Sequence, residues 1–201
     1  MNLPNRLTIF RIILVPIMVI IPYLGIEGDF LNIPIMYWLI NLIFCIAAIT
    51  DKLDGCIARA RNQITTFGKF LDPIADKILV LAAMVLLVSF DNKIPAIIPI
   101  IVLFREFAVS GYRLVAVEKG GKVIAASVWG KLKTVTQMVA IILSFLDVHK
   151  FGEFIFNDVQ GAFALGLNIV STVFMFACVV ATILSGWDYI KGGKALLTSD
   201  I

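Results

Sequence analysis

Residues 51–76 read DKLDGCIARARNQITTFGKFLDPIAD, four aspartates and two glycines set between long apolar runs. A charge near a bilayer interior costs roughly 2.5–3.5 kcal/mol on insertion scales, so ionisable residues in such surroundings line polar cavities or pathways. The spacing predicts helices over 35–60 and 71–90. Asp51, Asp54, Gly55 and Ala58 then fall at i, i+3, i+4 and i+7, one helix face. Gly68, Asp72 and Asp76 repeat at i, i+4 and i+8, again one face. Two antiparallel helices so marked would bring four carboxylates to one point.

Four converging carboxylates cannot all stay ionised uncompensated, because like charges and burial both raise a carboxylate's pKa. Two divalent cations supply the compensation. Ligands that are all oxygen point to a hard ion, Mg²⁺ or Mn²⁺, and no His or Cys set for zinc lies nearby. Gly55 and Ala58 remove bulk beside the carboxylates, so a flat or phosphorylated ligand can approach the helix backbone. Arg59 suits a phosphate, its planar fork being always charged. Small residues at this spacing also serve helix packing, which would account for Gly55, Ala58 and Gly68. It does not account for the aspartates.

The pattern D-x2-D-G-x2-A-R-x8-G-x3-D-x3-D is met without departure at Asp51, Asp54, Gly55, Ala58, Arg59, Gly68, Asp72 and Asp76. It resembles the signature of the CDP-alcohol phosphotransferases. That resemblance implies an integral membrane enzyme of about six helices that joins a CDP-linked group to an alcohol and releases CMP. It implies Asp51, Asp54, Asp72 and Asp76 as ligands of two metal ions, with Asp76 also the general base. Gly55, Ala58, Arg59 and Gly68 would border the donor's cytidine and pyrophosphate. A homodimer is common in the family. The stretches NLPNRLTIFRI (2–12), NQITTFGKFLDPIADKILV (62–80), FREFAVSGYRL (104–114) and ASVWGKLKTVTQM (126–138) extend the likeness to bacterial members that form phosphatidylglycerophosphate. They imply CDP-diacylglycerol as donor and sn-glycerol 3-phosphate as acceptor. Inositol phosphate would suit the basic residues too.

The rest of the chain agrees with a membrane setting. Of 201 residues, 60% are hydrophobic and 15% charged, and the mean hydropathy is +0.99. Such a composition leaves no room for a soluble catalytic domain. The expectation is one all-α polytopic membrane domain over 1–201. Its six transmembrane helices would lie near 8–25, 34–60, 71–90, 94–117, 132–147 and 162–187, after a short N-terminal interfacial segment. The basic, apolar N-terminus lacks the small-residue cleavage site of a secretory signal. A net charge of +3 gives no sign of a nucleic-acid partner, and Cys45, Cys56 and Cys178 show no disulfide spacing. Arg6, Arg59, Arg61, Lys69, Lys119, Lys122, Lys131, Lys133, Lys191 and Lys194 fall on one side of six such spans, Lys93 and Lys150 on the other. The positive-inside rule makes the first side cytoplasmic, with both termini and the aspartates, in an inner or plasma membrane. Asp72-Pro73 marks the expected start of the third span, where a helix dipole favours negative charge.

Several charges remain. Arg11 lies within the first apolar run, either snorkelling to headgroups or facing the site. Arg105 and Arg113, eight residues apart, suit an anionic acceptor phosphate, with Lys131 and Lys133 as further candidates. Arg105 and Glu106 could instead pair to hold helices together. His149 reads as a solvated loop residue, and Trp129, Trp187 and Tyr189 as interface anchors. A small cation transporter is the rival class, but it needs acidic residues along a path. Here all four sit at one depth beside arginines.

Overall fold

Apolar residues at helical spacing make the described residues mostly helical. The computed structural model describes residues 3–60, 66–118, 128–157 and 159–197. Its helices are α1 (Leu3–Ile20), α2 (Ile35–Ala60), α3 (Thr66–Ser89), α4 (Ile97–Glu118), α5 (Val128–Leu146), α6 (Glu153–Phe156) and α7 (Ala162–Leu197). Helix α3 begins five residues before the expected start. Pro73 therefore lies inside it, where it withholds a backbone hydrogen bond from the preceding turn. Asp72 is thus within the helix and not at its N-terminal end, so the dipole argument for it falls. Helix α7 has 36 residues, about 54 Å at the α-helical rise and well beyond a ~30 Å hydrocarbon layer.

The chain packs as two units, one of Met1–Lys93 with Ile142–Lys150, the other of Ile94–Ile141 with Phe151–Ile201. In the first, α1 packs along both α2 and α3. Its end is closed by a 3-10 turn over Ile21–Leu24 and by Gly25 at φ 62°, the left-handed geometry that glycine adopts without strain. A short hairpin pairs β1 (Asp29–Phe30) with β2 (Ile33–Pro34). Helix α2 buries Tyr37, Ile40, Phe44 and Ala47, and α3 buries Ala75, Leu79, Ala83 and Leu87. Both rows have helical spacing, and both run on toward the aspartates: Thr50 and Asp51 continue the first, while Asp76 adjoins the second.

Lys93, between α3 and α4, is buried. Its ammonium donates to the carbonyls of Ser144 at 3.4 Å, Phe145 at 3.4 Å and Asp147 at 2.5 Å. It thereby satisfies groups that the last turn of α5 leaves open, and puts positive charge at the negative end of the helix dipole. The same ammonium sits 3.5 Å from the centroid of the Tyr37 ring, and the Tyr37 hydroxyl donates to the Asp91 carboxylate.

In the second unit α4 packs on α7. The pattern is inverted relative to a water-soluble helix. Asn168, Ser171, Thr172, Thr182 and Ser185 of α7 are buried, while Phe163, Phe176, Ile183 and Trp187 are exposed. Asn168 accepts from the Phe154 amide at 3.1 Å and Thr172 from the Gly152 amide at 3.0 Å, tying down the first turn of α6. Phe104 of α4 is 77% exposed. Apolar side chains so presented fit lipid as the surrounding solvent. Among the described residues, Asn5–Leu24 and Ala162–Lys191 are long and apolar enough to cross a membrane.

Burial pushes the Lys93 ammonium down to about 8, against the pull of Asp147 and Asp91. An unfolded lysine titrates near ~10.4, so between those limits the unfolded chain binds the extra proton. This group's stabilisation is therefore full above ~10.4 and is lost as pH falls through the folded value. Lys93→Met, which leaves the last carbonyls of α5 without their donor, is expected to lower the unfolding midpoint in detergent. The gap between wild type and variant should widen as pH climbs from about 8. A gap that narrows over that range overturns the assignment.

Candidate functional site

The motif residues lie on two consecutive helices of the first unit. Asp51, Asp54, Gly55, Ala58 and Arg59 are on α2, and Gly68, Asp72 and Asp76 on α3. The side chains of Asp54, Ala58, Arg59 and Asp72, and the surroundings of Gly55 and Gly68, lie outside what the structure describes. Asp51 and Asp76 carry the described part of the site, and the Asp76 side chain is half-buried. No group of three or more metal-ligating side chains is gathered among the described residues.

Asp51 is met from α1. The Arg11 Nη1 stands 2.6 Å from the Asp51 Oδ1; the Arg11 side chain is 0% exposed and that of Asp51 36%. A snorkelling arginine would keep its guanidinium in water or among headgroups, so the structure decides for the inward-facing reading of Arg11. Helix α1 carries a buried polar row, Asn5, Thr8 and Arg11, at three-residue intervals. That row was readable as a departure from an otherwise apolar helix, though only Arg11 stands out by charge. Asp51 fits a hard divalent cation: one carboxylate oxygen is held by Arg11, and the group retains open surface. A carboxylate's lone pairs allow both contacts at once.

Arg105, Arg113 and Lys133, three of the cations expected from the sequence, form a network in the second unit. Glu106 Oε1 accepts from Arg105 Nη1 at 3.1 Å and from the buried Lys133 ammonium. Arg105 Nη2 donates to the Ser185 hydroxyl of α7, and Arg113 Nη2 donates to the Tyr189 hydroxyl. Both guanidinium groups lie over the Tyr189 ring, at 5.7 Å and 5.5 Å from its centroid. Glu106 thus binds two cations from two helices, more than the Arg105–Glu106 pairing expected from adjacency. Tyr189 is buried, a correction to its reading as an interface anchor: two arginines need its ring and hydroxyl. Lys131 and Arg113 are exposed. A cavity of about 310 Å³ between α4 and α7 is walled by Phe104, Arg105, Tyr112, Trp187, Tyr189 and Ile190. Its mainly apolar walls suit a hydrocarbon chain better than a phosphate. His149 is half-buried, and its amide donates to the Asp147 carboxylate at 3.0 Å.

Charged side chains paired between helices whose bulky apolar residues face outward suit a protein of the membrane. The CDP-alcohol phosphatidyltransferase family profile matches residues 1–184, and the chain belongs to that family. Its members are transferases, in general metal-dependent. The chain is similar to the CDP-diacylglycerol–glycerol-3-phosphate 3-phosphatidyltransferase of Bacillus subtilis, with 41% identity over 209 aligned residues and 99% of each chain covered. To the protein of the same description from Haemophilus influenzae it is 37% identical, over 100% of this chain and 97% of the relative. To that from Rickettsia typhi it is 36% identical, over 96% and 97%.

Removing one partner from a largely buried ionic network leaves an uncompensated charge, at about 3–5 kcal/mol. Glu106→Gln strands both Arg105 and Lys133 and is expected to destabilise by that order. Lys131→Gln, at an exposed position, is expected to stay within about 0.5 kcal/mol of wild type. Chemical unfolding in detergent checks both, and equal stability for the two variants sinks the network's role.

Proposed function

We propose that this chain transfers the phosphatidyl group of CDP-diacylglycerol to the primary hydroxyl of sn-glycerol 3-phosphate, forming phosphatidylglycerophosphate and CMP. The observation that carries the reading is the complete aspartate motif, set on α2 and α3 of a chain alignable end to end with relatives that bear that description. Asp51, Asp54, Asp72 and Asp76 hold two divalent cations, Mg²⁺ or Mn²⁺. Such ions, when bound, neutralise the donor's pyrophosphate and the charge developing on the departing CMP.

Asp76 takes the proton from the acceptor hydroxyl as that oxygen attacks the lipid-side phosphorus. The bond from that phosphorus to the bridging oxygen breaks, and CMP leaves with the electron pair. Gly55, Ala58 and Gly68 keep the helix surfaces low for the nucleotide, and Arg59 meets the pyrophosphate. Arg113, Arg105, Lys131 and Lys133 are the candidates for the acceptor phosphate. Arg113 leads because it is exposed, with Tyr189 steadying its guanidinium. Arg105 and Lys133 are already engaged by Glu106.

The whole chain, 1–201, would act as one catalytic domain with six membrane spans, α1 to α5 and α7. Exposed apolar faces on these helices support the spans. The distribution of Lys and Arg supports both termini and the aspartates on the cytoplasmic side of the cell membrane. A homodimer is the proposed assembly.

The test is an acceptor panel of glycerol 3-phosphate, inositol phosphate, serine and phosphatidylglycerol, scored by CMP release from CDP-diacylglycerol with Mg²⁺. Release only with glycerol 3-phosphate is expected. Release with inositol phosphate instead would move the acceptor assignment, and release in fully chelated buffer would end the metal account. Asp76→Asn keeps the shape and one oxygen but removes the base, so kcat is expected to fall by about 10²–10⁴-fold. Donor binding should persist, and no Mg²⁺ concentration should restore turnover. Recovery of near-normal kcat at high Mg²⁺ would make Asp76 a ligand alone.

A further inference from the structure

We propose that Arg11 is a positioning residue for the aspartate site: its guanidinium pins the Asp51 carboxylate so that the second oxygen is presented to a divalent cation. The inference rests on the reading of Asp51 as a metal ligand and adds a residue outside the aspartate motif. Three observations carry it. Arg11 is fully buried and its Nη1 lies 2.6 Å from Asp51 Oδ1. Asp51 keeps 36% of its side chain exposed, and its contact with Arg11 runs through one oxygen, Oδ1. Helix α1 packs along both motif-bearing helices, which fixes the point from which the guanidinium reaches.

The choice of arginine matters physically. Breaking the contact would leave a buried charge with one counter-ion fewer, which opposes movement of the guanidinium away from Asp51. The contact is an ion pair through one nitrogen, Nη1, to one oxygen, Oδ1; a planar guanidinium holds such a contact in a fixed direction, whereas an ammonium is a rotatable point charge. The guanidinium also repels a cation by simple Coulomb force. Positioning and repulsion therefore predict opposite signs for its removal. Partners that orient a metal's ligands typically change metal affinity by about 10- to 100-fold when lost.

The experiment titrates metal-stripped, full-length protein in detergent with Mn²⁺ alone, following free Mn²⁺ by its EPR signal, with thermal unfolding of the metal-free protein in parallel. Arg11→Met is expected to weaken Mn²⁺ binding about 10- to 100-fold. Arg11→Lys retains the buried charge but not the planar guanidinium; it should also weaken binding, and it serves if Arg11→Met fails to fold. Asp51→Asn sets the scale for losing the ligand itself. Tighter Mn²⁺ binding in Arg11→Met would make Arg11 only a competing cation. A lowered midpoint with unchanged Mn²⁺ affinity would make it only structural. Either overturns the proposal, while weakened Asp51→Asn beside it leaves the metal-ligand reading standing. If Asp51→Asn itself binds Mn²⁺ like wild type, that underlying reading is what fails.

Discussion

Every charge that these helices carry into apolar surroundings must find its counter-charge or its hydrogen-bond acceptors on a neighbouring element. Arg11 of α1 finds Asp51 of α2. Lys133 of α5 and Arg105 of α4 share Glu106, and Arg105 reaches on to Ser185 of α7. Lys93 finds the last carbonyls of α5 and the Tyr37 ring. Pairs of this kind add little net stability over an apolar equivalent, because desolvation offsets much of the attraction. Their effect lies in the alternatives they exclude: a helix slipped by one turn would strand an ion. In lipid, where apolar faces do not distinguish one neighbour from another, such pairs are the contacts that can set register.

The aspartate motif and the helices that bear it were legible because charge is conspicuous in an apolar chain and its period is helical. The placement of α2 over 35–60 follows from that period. What surrounded the motif was less legible. Proline after Asp72 suggested a helix start, yet α3 runs back to Thr66, since one missing backbone bond is tolerable within a well-packed helix. Arg11 had two readings of equal physical standing, and only its distance to a helix forty residues away separates them. Glu106 looked like a partner for its neighbour Arg105. That Lys133 also converges on it is a tertiary fact without a local signal. Tyr189 looked like other aromatic residues near membrane boundaries, and nothing in its vicinity announced two arginines.

Helix α7 shows why apolar helices hide their inward face from sequence. Its buried residues include Asn168, Ser171, Thr172, Thr182 and Ser185, and its exposed ones include Phe163, Phe176 and Trp187. A reader expecting the apolar side to point inward would have placed the helix backwards. Small hydroxyl side chains can satisfy themselves on their own helix, as Thr182 does on the Cys178 carbonyl at 2.7 Å. They then pack closely without leaving a polar group stranded. The bulky apolar residues are left for the lipid side, where close approach is not needed.

The same logic ties the candidate site to the fold in a way that a loop-borne site would not be. Ala47 on α2 and Ala75 and Ala83 on α3 are fully buried, and small residues of this kind let helix backbones approach. These residues belong to the rows that lead into Asp51 and Asp76, so the faces that pack the helices are the faces that bear the carboxylates. A change in crossing or register between α1, α2 and α3 would move the carboxylates as directly as it moves the core. Rigid elements hold reacting groups more closely than loops can. The cost is that Asp51 answers to two demands at once, as counter-ion to a buried guanidinium and as ligand in the proposed chemistry. A substitution there disturbs packing and site together, and only measurements that separate folding from metal binding can apportion the loss.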